Sequence, residues 1–107
     1  MDRIAIAADV ADTLLATETA VETALARGVG LMRRLMEARR QMGLPVDAGE
    51  PALRRANAAV AALGEAHREI LRTRDELGTL RRDLGLPPAT EASVGEANAA
   101  RAPRSGG

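Results

Sequence analysis

Arg39-Arg40-Gln41-Met42-Gly43-Leu44-Pro45 recurs forty-two residues later as Arg81-Arg82-Asp83-Leu84-Gly85-Leu86-Pro87. Each segment has the chemistry of a helix C-terminus. Arginines stand over the last carbonyls, glycine suits the left-handed position just beyond them, leucine folds back on the final turn, and proline blocks continuation. Two such stops predict two long helices, 3–42 and 51–84, with a loop over 43–50. Each helix would run roughly 50–60 Å at 1.5 Å per residue. Upstream of the stops the correspondence fades, so shared capping chemistry explains the repeat better than an internal duplication.

The apolar pattern between the stops agrees. Ile4, Ala7, Ala11, Leu14, Val21, Leu25, Met32, Leu35 and Met42 follow alternating steps of three and four, with only Glu18, Gly28 and Arg39 intervening. The phase survives Gly28-Val29-Gly30, which favours one continuous helix although a mid-helix glycine costs about 1 kcal/mol relative to alanine. The second segment keeps the same step through Leu53, Ala56, Val60, Leu63, His67, Ile70, Arg74, Leu77, Arg81 and Leu84. Pro51 fits a first helical turn, where its missing N–H costs nothing. The fold expected is an all-α, coiled-coil-like antiparallel two-helix hairpin over 1–85, with 86–107 as a disordered tail carrying three of the five prolines.

A two-stranded seam needs only the a and d positions of a heptad. Here the flanking e and g positions are apolar as well, through Val10, Leu15, Val29, Leu31, Met36, Leu71 and Leu80. One hairpin cannot bury so broad a face. The expectation is a four-helix bundle, completed by dimerisation or by a partner's helices, with these seven residues forming the contact.

Composition narrows the function. The 107 residues carry fifteen acidic and fifteen basic side chains, so no global charge draws the chain to nucleic acid or anionic lipid. All fifteen cations are arginine, and Phe, Tyr and Trp are absent. This matches a GC-rich, bacterial-type coding sequence and weakens any reading of the arginines as phosphate ligands. Without cysteine there is no disulfide, thiolate ligand or cysteine nucleophile. No secretory signal and no run of about 20 apolar residues is visible, so the expected compartment is the cytoplasm.

Candidate sites are few. His67, the single histidine, falls on a core position, and its helical neighbours Leu63, Gly64, Ile70 and Leu71 include no metal ligand. Layering the hairpin on its loop places His67 opposite Gly28, and Glu18 opposite Leu77 between Arg74 and Arg81. Such an ion pair would fix register. Both serines lie in the tail, and no phosphate loop or carboxylate dyad is present, so catalytic, cofactor and metal sites are all expected to be absent. Folding brings Arg33, Arg34, Arg39 and Arg40 near Arg54 and Arg55, a basic tip that could hold nucleic acid or an acidic protein. The acidic start and basic end of the first helix also complement its dipole, which accounts for much of that pattern. The sequence therefore favours a non-enzymatic structural or adaptor protein working through helix–helix contacts with itself or another helical protein. A small regulator acting through the arginine tip is the alternative.

Overall fold

A computed structural model describes residues 2–88, and all regular structure among them is helical. Helix α1 spans Arg3–Gln41 and helix α2 spans Glu50–Asp83, each within one residue of the sequence expectation at both ends. The chain is a two-helix hairpin. Residues 89–107, most of the expected tail, lie outside the described residues.

Asp2 starts α1. Its Oδ1 accepts the Ala5 N–H at 2.7 Å, and its carbonyl accepts the Ile6 N–H at 3.1 Å. One otherwise unpaired N-terminal donor is thereby satisfied, beside a negative charge that suits the helix dipole. The helix then passes through Gly28-Val29-Gly30 without a break.

Both stops form the same Schellman motif. Leu44 N–H donates to the Arg39 carbonyl and Gly43 N–H to the Arg40 carbonyl, each at 3.1 Å. In α2, Leu86 N–H donates to the Arg81 carbonyl at 2.9 Å and Gly85 N–H to the Arg82 carbonyl at 3.0 Å. The pattern needs a left-handed residue, and Gly43 and Gly85 supply it at φ 65 and 68. Between the helices the backbone stays tight. Ala48 N–H meets the Pro45 carbonyl, Glu50 N–H meets the Asp47 carbonyl, and Gly49 offers α2 its first acceptor, to Leu53 N–H at 3.0 Å.

The chain divides into two compact units. One runs from Thr19 to Glu69; the other joins the chain up to Glu18 with the chain from Ile70 onward. In the first unit Gly28 faces Val60 and Leu63: a Cβ built on Gly28 would lie 3.0 Å from Val60 Cγ2 and 3.7 Å from Leu63 Cδ1. This corrects the expected register, because Val60 stands where His67 was placed, one heptad nearer the loop. The turn returns α2 beside the last turns of α1, where Leu53 lines one cavity with Leu35, Ala38 and Met42.

In the second unit, Glu18 is buried with only 6% of its side chain exposed, and it takes a bidentate grip from Arg74. Arg74 Nε donates to Glu18 Oε1 at 2.8 Å, and Nη2 donates to Oε2. Of the two arginines flanking Glu18 in the sequence layering, Arg74 is the partner.

Candidate functional site

The seven stripe residues divide six to one. Val10, Leu15, Val29, Leu31, Met36 and Leu80 are 42% to 52% exposed, whereas Leu71 is half-buried. The a and d seam is itself only partly covered, and Ala56 is the sole buried apolar residue among those described. A stable core places its large aliphatic side chains almost wholly out of water, each contributing about 1.5–3 kcal/mol. Here the two least exposed residues of α1 are carboxylates, Asp12 and Glu18.

Stripe and seam open into a trough in the unit that contains Glu18 and Arg74. Ile6, Val10 and Leu14 from α1 and Leu77, Leu80 and Leu84 from α2 form its apolar walls, around a volume of about 700 Å³. The floor is small: Ala7, Ala11 and Gly78. Four arginines, Arg3, Arg74, Arg81 and Arg82, line it, and no described carboxylate does. The sequence places Arg81 and Arg82 over the α2 carbonyls, with Arg81 also beside Glu18 on the seam, and gives Arg3 no role. The signal was that antiparallel folding returns the end of α2 to the start of α1.

At the loop end, three of the six tip arginines have partners within the chain. Arg39 Nη1 donates to the Val46 carbonyl, Arg40 is paired with Glu37, and Arg54 meets Glu50 Oε1 at 2.9 Å. Arg33, Arg34 and Arg55 are exposed. Exposed i,i+3 and i,i+4 pairs of this kind contribute a few tenths of a kcal/mol, about 0.3–0.5 each. The cavity under the loop holds about 140 Å³.

His67 lies with Nε2 3.3 Å from Glu22 Oε1 and about a quarter of its side chain exposed. Among the described residues no cluster of three or more His, Cys, Asp or Glu is placed to hold a metal. Thr13 and Thr17 donate their hydroxyls to the carbonyls of Asp9 and Thr13, a turn back along α1. No described helix is long and apolar enough to cross a membrane. No family model matches the chain, and no curated protein or solved structure matches it either.

Proposed function

We propose that this chain is a non-enzymatic structural or adaptor protein whose work is helix–helix contact, as one member of a four-helix bundle or of a larger helical assembly. The observation that carries the reading is the exposure of Val10, Leu15, Val29, Leu31, Met36 and Leu80 along two helices whose shared interior is already thin. So many exposed large apolar side chains are unusual on a protein that works alone, and covering them would add stability. A second copy or another protein's helices would equally cover these side chains.

The test is solution mass by size-exclusion chromatography with light scattering, read by refractive index because the chain has neither Trp nor Tyr. The expected result is either a defined oligomer that Leu31→Asp with Met36→Asp dissociates, or a loosely folded monomer without a cooperative melt. A monomer that melts cooperatively, with a midpoint unchanged when Leu31 and Met36 become serine, overturns the reading.

A further inference from the structure

We infer that the trough between the start of α1 and the end of α2 is a docking groove for an acidic amphipathic helix from another protein. The inference rests on the helix-contact reading above and specifies its partner. Shape comes first. Ile6, Val10, Leu80 and Leu84 on the trough walls remain 42% to 49% exposed. From Ile6 to Leu14 the walls extend about 12 Å along α1, the rise of two turns, which suits side chains presented at i, i+3, i+4 and i+7 by an incoming helix. A Cβ built on Gly78 would meet only the tip of Arg82, at 3.8 Å. The floor therefore has room for another helix to come close.

Charge then selects the occupant. The lining carries Arg3, Arg74, Arg81 and Arg82 with no carboxylate among the described residues. Arg74 is already engaged by the Glu18 carboxylate, and Arg82 Nη2 donates to the neutral Thr79 hydroxyl at 3.0 Å, which leaves Arg3, Arg81 and Arg82 as the groove's recognition charges. A second copy of the chain seated groove to groove would bring the same arginine-lined surface, since a two-fold contact pairs a patch with itself. Residues 89–107 offer one large apolar side chain, Val94, too few to fill the walls. A helix with leucines on one face and glutamates along its borders supplies what both lack, and rim charges of this kind set partner choice more than total affinity.

The experiment uses the full chain and two fluorescein-labelled peptides with identical leucine-bearing heptads, one bordered by glutamate and one by lysine. Fluorescence anisotropy should show the glutamate peptide binding about tenfold or more tighter at low salt, with the advantage shrinking as salt screens it. Arg3→Glu, Arg81→Glu and Arg82→Glu together should reverse the preference; if that variant loses helicity, the corresponding Arg→Gln set should abolish it instead. Gly78→Met, which fills the floor, should remove binding of both peptides while leaving the free chain folded. Equal binding of the two peptides, or preference for lysine, overturns the proposal. So does an oligomer that Gly78→Met dissociates, because the groove is then occupied by a second copy. A chain that binds neither peptide but assembles through Leu31 and Met36 overturns the acidic-helix proposal alone. A cooperatively folded monomer that binds neither peptide, and is indifferent to serine at those two positions, overturns both readings.

Discussion

Gly28 and Gly78 are the same residue in the same kind of helix, one in each compact unit, and they meet opposite surroundings. A Cβ on Gly28 would press on Val60 at 3.0 Å, whereas one on Gly78 would find only the end of Arg82's flexible side chain. Between Thr19 and Glu69 the chain supplies its own partner for the gap that glycine leaves. In the other unit the gap stays open, and an ion pair with one buried member, Glu18–Arg74, takes part in holding the helices. Around the glycine, packing is closed in the one place and open in the other, although both units leave large apolar side chains exposed, Val29, Leu31 and Met36 in the first and Val10, Leu15 and Leu80 in the second.

The strongest way to break this contrast is at the ion pair. Arg74→Leu leaves Glu18 buried without its bidentate partner, and should cost about 3 kcal/mol, the lower end for a broken buried pair because Arg74 is half exposed. Glu18→Leu added to Arg74→Leu should recover most of that loss, since well-packed apolar residues replace such pairs at little cost. Urea titration of the two variants gives the comparison directly; a double variant no better than the single one removes the pair from its role.

Next in size is Gly28→Leu, which overfills the contact with Val60 and should cost about 2 kcal/mol. Combining it with Val60→Ala should be less damaging than the sum of the two separate losses, whereas His67→Ala should give no such relief. Thermal melts followed by circular dichroism at 222 nm, the standard helix band, decide which residue Gly28 faces.

Gly43→Ala and Gly85→Ala serve as a control that ignores the contrast. Both residues hold φ near +65° in identical motifs, so each substitution should cost about 1 kcal/mol, and by the same amount. Unequal losses would mean that the units differ in how far a frayed helix end is tolerated. Smallest is Gly78→Ala, which meets no backbone or rigid side chain and should raise stability by somewhat under about 1 kcal/mol through helix propensity alone. A loss at Gly78 would show that the groove is less open than its walls suggest.

The sequence was most informative where chemistry is local. Capping depends on residues within one turn, so Arg39–Leu44 and Arg81–Leu86 announced both helix ends, and the seam residues announced which faces meet. Register was not local in that sense. A seam with a seven-residue repeat offers an equivalent layer at every heptad, and only the folded path of residues 42–49 chooses among them. Sequence layering consequently set His67 opposite Gly28 and missed Val60. The groove was harder still to see. Its walls come from stripe and seam together, and its arginines read separately, Arg74 and Arg81 as seam partners for Glu18 and Arg82 as a helix-end charge, until α1 and α2 are laid side by side.

The mismatch between those two layerings has a mechanical consequence. Moving α2 by one heptad would bring His67 to Gly28 and Arg81 toward Glu18, exchanging each observed contact for a chemically plausible substitute seven residues away. The hairpin thus has a second notch, and the short turn at Pro45–Gly49 acts as the pawl that keeps it out. Lengthening that turn by a heptad of flexible residues should release it, an outcome readable as Glu18 coupling shifting from Arg74 to Arg81 in double-mutant cycles; coupling that stays with Arg74 would mean the contacts themselves hold the register.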